Sequence, residues 1–121
     1  MQDSRICASC GRRFHYHARW RNNWDEVKYC SRQCQRNKPG RLAAELEQAI
    51  LTLLGQRARG ASICPSEVAR ARQPENWKPL MEPVRQAARR LAARGQLLIT
   101  QKNQTVDPHD FRGPVRLRLP G

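Results

Sequence analysis

From residue 41 onward the apolar residues recur with two distinct periods. Leu42, Leu46, Ala49, Ile50, Leu53 and Leu54 fall on one helix face, which predicts an amphipathic helix closing near Gly55 to Gly60. A second helix is expected to start at Cys64-Pro65-Ser66-Glu67 and to end around Arg72 to Pro74. Proline suits the first helical position because its missing amide hydrogen would be unpaired there, and Glu67 meets the positive end of the helix dipole. Pro79 and Pro83 prevent a long uninterrupted helix, but Pro83 can open a third one running to Arg94, with Gly95 as its stop. Val84, Ala87, Ala88 and Leu91 share one face of it. The period then shortens to two: Leu97 to Thr100 and Val115 to Leu119 read as strands, separated by turns at Asn103, Asp107-Pro108 and Gly113-Pro114. Three helices followed by a hairpin predict a winged helix-turn-helix domain over residues 41–121. Its expected core is Leu46, Ile50, Leu53, Val68, Leu80, Val84, Leu91, Leu97, Ile99, Val115 and Leu117.

Residues 1–38 carry neither period. They hold four of the five cysteines, Cys7, Cys10, Cys30 and Cys34, and a set of aromatic residues, Phe14, Tyr16, Trp20, Trp24 and Tyr29. The polar stretch from Gln35 to Lys38, closed by Pro39-Gly40, separates this part from the helical one and predicts a domain boundary. A segment this small cannot stand on apolar burial alone, so something else must hold it. Cys7-Ala8-Ser9-Cys10-Gly11 has the spacing at which a tight turn offers two thiols to one ion, and Gly11 permits a positive backbone angle. Cys30 and Cys34 flank a helix start that Ser31 can cap. The expectation is a treble-clef-like finger, a turn, an intervening hairpin and a helix N-terminus, closed around Zn2+ by four thiolates. An iron–sulfur cluster accepts the same four ligands, and His15 or His17 could replace one of them. The aromatic residues fit a mini-core around the metal, and equally the stacking platforms that bind bases.

This part resembles a bacterial zinc-finger-like family of unknown function, with the pattern Cys-x-x-Cys-Gly-Arg-Pro-Phe-x-Trp-Arg-Lys-Lys-Trp followed by Trp-Asp-Glu-Val-x-Tyr-Cys-Ser-x-x-Cys. The matching residues run from Cys7, Cys10, Gly11, Arg12 and Phe14 through Trp20, Trp24, Asp25, Glu26, Val27 and Tyr29 to Cys30, Ser31 and Cys34. Arg13 stands where the family has proline, and Tyr16, His17, Ala18 and Arg19 replace its Trp-Arg-Lys-Lys. Residues 45–120 are similar to a second bacterial family of unknown function, through Cys64 to Arg70, Trp77, Leu80-Met81, Val106-Asp107-Pro108 and Gly113 to Leu117. That resemblance implies a winged-helix-like fold and brings no established activity. The chain therefore reads as a small α+β protein, a fusion of a finger (1–38) with a winged-helix-like domain (41–121).

Charge narrows the partners. The net charge is +13, from 23 Lys and Arg against 10 Asp and Glu, shared almost evenly between the two parts. Such a surplus points to a polyanion, and to nucleic acid first, DNA before RNA. With Val84 inward, Gln86, Arg89, Arg90 and Ala93 are expected to face outward on the third helix, with Arg85 and Arg94 on its flanks. In a helix-turn-helix that face would enter the major groove, where arginine and glutamine read base edges. Lys102, Arg112, Arg116 and Arg118 would load the wing with the same charge, and Arg12, Arg13, Arg19 and Arg21 the finger. A docking adaptor for a protein partner is the rival reading.

No catalytic set emerges from the sequence: His15, His17 and His109 lie in separate loops, and there is no phosphate-binding glycine loop. Cys64, alone beside Pro65, reads as an inert cap position. The protein is thus expected to be non-enzymatic, without a small-molecule substrate. The absence of a signal sequence and of a membrane-length apolar run predicts a cytoplasmic protein, where thiols bind metals rather than form disulfides.

Overall fold

A computed structural model of the chain describes residues 4–121. Its first body opens on a short antiparallel hairpin, β1 (Ser4–Ile6) and β2 (Arg13–His15), with Arg5 opposite Phe14. The hairpin loop is the Cys7 to Arg12 turn itself, closed by amide hydrogen bonds from Cys7 to Arg12 O and from Gly11 to Cys7 O. Where the sequence predicted an intervening hairpin, the chain makes two 3-10 turns, Ala18–Trp20 and Trp24–Glu26. The physical reason lies in the aromatic residues. Phe14 and Trp24 are buried, and edge-on contacts of Phe14 with Trp20 and Trp24 at 5.5 and 5.8 Å between ring centres draw the turns inward over the knuckle. A short helix, α1 (Arg32–Arg36), follows, capped by Ser31, whose hydroxyl accepts from the Cys34 amide at 3.2 Å.

The second body begins with α2 (Arg41–Gly55), which buries Leu46, Ile50 and Leu54. Leu42 belongs to the same stripe yet is 44% exposed, because the first turn of the helix lies beyond its neighbours. Next come β3 (Ser62–Ile63) and α3 (Pro65–Arg72). Cys64 occupies the cap of α3, with its amide donating to Glu67 Oε2 at 2.7 Å. A 3-10 turn at Lys78–Leu80 leads into α4 (Met81–Ala93), so Pro83 sits within the first turn, where a missing amide hydrogen breaks no bond. Three strands complete the body: β4 (Leu98–Gln101), β5 (Gln104–Thr105) and β6 (Arg116–Arg118). The sheet runs β3-β6-β4-β5, all antiparallel. Lys102 and Asn103 form a two-residue turn between β4 and β5, both with positive φ.

Helices and sheet enclose one core, from Leu46 and Ile50 through Val68, Val84 and Leu91 to Ile99 and Leu117. Every residue of the expected core is fully or partly buried; Leu53 alone is only partly so. Leu91 has no exposed surface. Leu91→Ala is therefore expected to destabilise the full chain by about 2–5 kcal/mol, read from denaturant melts. A loss below about 0.5 kcal/mol would mean that α4 turns another face to the core.

Candidate metal centre

Four sulfurs converge between the knuckle and α1. Those of Cys7, Cys10, Cys30 and Cys34 all lie within 4.8 Å of one another. Cys10 and Cys30 Sγ are 3.8 Å apart, and Cys30 and Cys34 Sγ 3.6 Å. A tetrahedral ion with bonds to sulfur of about 2.3 Å requires sulfur–sulfur edges of about 3.8 Å, so the donor set fits a metal ion with little movement. Backbone amides of Cys10 and Cys30 donate to Cys7 Sγ at 3.5 and 3.4 Å, the pattern that stabilises a thiolate. The Cys10 thiol and these amides pull Cys7 down to about 4 against its burial. Its neighbours move the other way: Cys10 is raised by sharing its proton with Cys7 and by burial, and Cys30 is raised to about 11 by burial and by the Cys34 thiol. Four thiols this close cannot all ionise by themselves, and a metal ion held by them would supply the missing charge. His15 and His17 stand outside the cluster; His17 instead caps a 3-10 turn by accepting from the Arg19 amide.

The carbonyl side of the knuckle is occupied by α4. A trans peptide that turns its N–H toward a sulfur turns its C=O the opposite way. The Ser9–Cys10 peptide does so, and Ser9 O accepts from Arg90 Nη1 at 2.7 Å. Cys10 O accepts from Arg89 Nη1 at 2.8 Å, and Gly11 O from His109 Nδ1 at 2.8 Å. Gly11 has φ +77°, and a Cβ there would lie 2.2 Å from the Arg89 Cβ. Glycine is thus required twice, by the backbone angle and by the approach of the helix.

These contacts overturn one expectation. Arg89 and Arg90 do not face solvent: they are 0% and 8% exposed, because the knuckle lies on the face that the helical wheel assigned to water. Glu47 of α2 accepts from Arg90 Nε at 2.7 Å and also binds Arg94. Burial would raise the Glu47 carboxyl, but the two guanidinium groups outweigh it and hold it low. Burial pushes Arg89 the other way, with Glu82 opposing the loss of its charge. Carbonyl and carboxylate oxygens replace water at Arg89 Nη1 and at Arg90 Nε and Nη1, while the buried Nε and Nη2 of Arg89 have no hydrogen-bond partner among the described residues.

The loop before β6 completes the joint. Arg13 donates to Asp110 at 2.9 Å and to Asp107 at 3.1 Å, and its amide donates to His109 O. Both carboxylates keep the Arg13 guanidinium firmly charged. The ring of Phe111, which is buried, has Arg12 and Arg89 within cation–π distance at 5.7 and 5.3 Å. Arg12 and Arg13, expected on a polyanion surface, thus hold the two bodies together. The sequence marked Asp107 as a turn residue and His109 as a loop residue and gave Asp110 and Phe111 no role; only an aromatic residue in a polar loop hints at a contact.

The remaining predicted residues scatter. Arg116 spends its guanidinium on Ser62 Oγ and O across the sheet. Arg85 lies 3.8 Å from Glu82, and Gln86 is half-buried beside α2. Lys102 and Arg112 are exposed near the β4–β6 end, and Arg118 is half-buried. Arg19 and Arg21 are exposed on the finger. Cys64 accepts from the Ser66 hydroxyl at 3.1 Å, in keeping with a cap. Among the described residues no helix is long and apolar enough to cross a membrane.

Residues 43–120 match a family described as protein of unknown function (DUF3253). The chain belongs to this family. The DUF3253 match covers the helical body except the first two residues of α2 and the last residue of the chain. Ahead of it, residues 2–37 match a second family, uncharacterized protein conserved in bacteria (DUF2256), which contains all four cysteines. The two matches stand in tandem, a fusion of two families, with the Pro39-Gly40 turn between them. The joint described above therefore links a DUF3253 body to a DUF2256 finger. A comparison with curated proteins finds no match to the chain.

Proposed function

We propose that the chain is a non-enzymatic, cytoplasmic, zinc-stabilised protein that binds nucleic acid, with a finger (1–38) fixed to a winged-helix-like body (41–121). The carrying observation is the distribution of unneutralised charge. Arg41, Arg57, Arg72, Arg85, Arg89, Arg90 and Arg94 each have a carboxylate within ion-pair distance, which uses up Glu45, Glu47, Glu67 and Glu82. Arg19, Arg21, Lys28, Arg32, Arg36 and Lys38 of the finger have none among the described residues, and neither do Lys102 and Arg112. A surface of unpaired cations on two bodies joined by hydrogen bonds and ion pairs favours a long polyanion.

Zinc is favoured over other ions by four thiolates at tetrahedral spacing, and four protein ligands leave no coordination position for a substrate. The order helix, strand, helix, helix and then three strands supports the winged-helix reading. The covered face of α4 argues against major-groove entry by that helix. An adaptor reading draws on a different feature, a groove of about 900 Å³ between α2 and α3 lined by Ala49, Leu53 and Val68.

Titration of the full chain against duplex DNA, single strands and structured RNA at several salt concentrations tests the proposal. Log affinity is expected to fall linearly with log salt, by about 0.9 per neutralised phosphate on duplex and about 0.7 on single strands. Micromolar or weaker association that vanishes near physiological salt for every nucleic acid would replace the proposal with the adaptor.

A further inference from the structure

The docked face of α4 leaves open where a nucleic acid would bind. The finger has a second side, turned away from the joint. A cleft of about 580 Å³ runs between its 3-10 turns and α1, lined by Arg19, Trp20, Lys28, Tyr29 and Arg32, with Glu26 as its one acid among the described residues. Arg19, Lys28 and Arg32 have no ion-pair partner among the described residues. Trp20 is half-buried, and the Arg19 guanidinium lies over its ring at 4.4 Å from the centre, so the cleft wall presents an indole covered by a guanidinium. Tyr16, 45% exposed, stands edge-on to Trp24 nearby.

We infer that this cleft is a binding site for a single-stranded segment of nucleic acid, with a base stacked on the Arg19–Trp20 layer and phosphates at Lys28 and Arg32. This rests on the nucleic-acid reading above and adds its substrate class. Size and shape decide against a duplex here. The cleft has the volume of one or two nucleotides rather than of a double helix, and α1, with five residues, is only about 7.5 Å long, too short to follow a major groove. Bases of a single strand are free to leave their own stack, and both aromatic rings and guanidinium planes accept them without regard to sequence. Lysine and arginine at the cleft edge supply the phosphate contacts that fix the strand.

The test uses the full chain with its metal and a fluorescent oligothymidylate of about 16 nucleotides, free or annealed to its complement. The single strand is expected to bind more tightly than the duplex at every salt concentration and to quench tryptophan emission. Lys28→Glu with Arg32→Glu is expected to weaken single-strand binding about tenfold or more and to lower the salt slope by about 1.4, for two lost contacts. Both side chains are exposed, and a carboxylate at the first position of α1 suits the helix dipole, so metal content and melting should not change. Lys28→Gln with Arg32→Gln repeats the measurement should the reversal disturb the metal. Lys102→Glu with Arg112→Glu, in the turn after β4 and the loop before β6, is expected to weaken single-strand binding less than the cleft variants do. Preference for duplex, or loss of binding with the Lys102/Arg112 variant and not with the cleft variants, would overturn the cleft while leaving nucleic-acid binding intact. Absence of binding to either probe by the unaltered protein would remove both.

Discussion

Chelation of the metal is expected to unfold residues 4–38 and, beyond them, to loosen the helical body. Among the described residues the finger's core is Cys7, Cys10, Phe14 and Trp24, with Trp20, Val27, Tyr29, Cys30 and Cys34 partly buried against it, and a core of that size does not hold a chain of this length. Metal binding to such a site contributes about 10–16 kcal/mol at neutral pH, more than the stability of most whole domains. On sequence alone the loss would stop at the linker. The structure extends it, because Ser9 O, Cys10 O and Gly11 O of the knuckle are the acceptors of Arg90, Arg89 and His109. Once the knuckle is gone, two buried guanidinium groups face water, and the loop carrying Asp107 and Phe111 loses its partners. Circular dichroism melts before and after chelation, with tryptophan emission reporting Trp24, measure both effects. An unchanged Trp24 environment after complete metal removal would count against a metal-held finger, and an unchanged second transition against the joint.

The second large effect is expected from reversing Arg89 and Arg90 together to glutamate. If α4 faced solvent, this would be a mild surface change. Here it would set carboxylates against Cys10 O, Ser9 O and the Glu47 carboxylate, in a site with almost no access to water. An unpaired buried charge costs several kcal/mol, so the finger should detach or the body unfold. Arg89→Met with Arg90→Met, which keeps the length of the side chains and removes the charge, is expected to lose less. Denaturant melts and limited proteolysis at the 37–40 linker distinguish the variants. A glutamate variant as stable as the unaltered protein would mean that the α4 face is open in solution.

Much of this molecule is local and could be read along the chain. The stripe from Leu46 to Leu54, the cap at Cys64-Pro65 with Glu67, and the stop at Gly95 follow from helical periodicity and from the unpaired amides and carbonyls of helix ends. The pairing of the four cysteines follows from spacing, since a tight turn and a helix start bring two pairs of sulfurs to one point, but it took the structure to place His15 and His17 outside the cluster. Short strands such as Ser62–Ile63 escaped because two residues carry no period. The decision that mattered most for function was not local at all. A helical wheel knows the inward direction of α4 from Val84 and Leu91, but it assigns every other direction to water. Whether Arg89 meets water, a phosphate or the carbonyl of Cys10 depends on where a second body 79 residues away in the chain comes to rest. That placement is set by the missing side chain of Gly11, by a Ser9 carbonyl that points outward because the amide of its peptide points at the Cys7 sulfur, and by an aspartate pair waiting for Arg13. The sequence determined the helices, the core and the pairing of the cysteines, because each depends on neighbours a few residues apart. Tertiary structure alone decided which arginines are free, because charge neutralisation depends on distance in space.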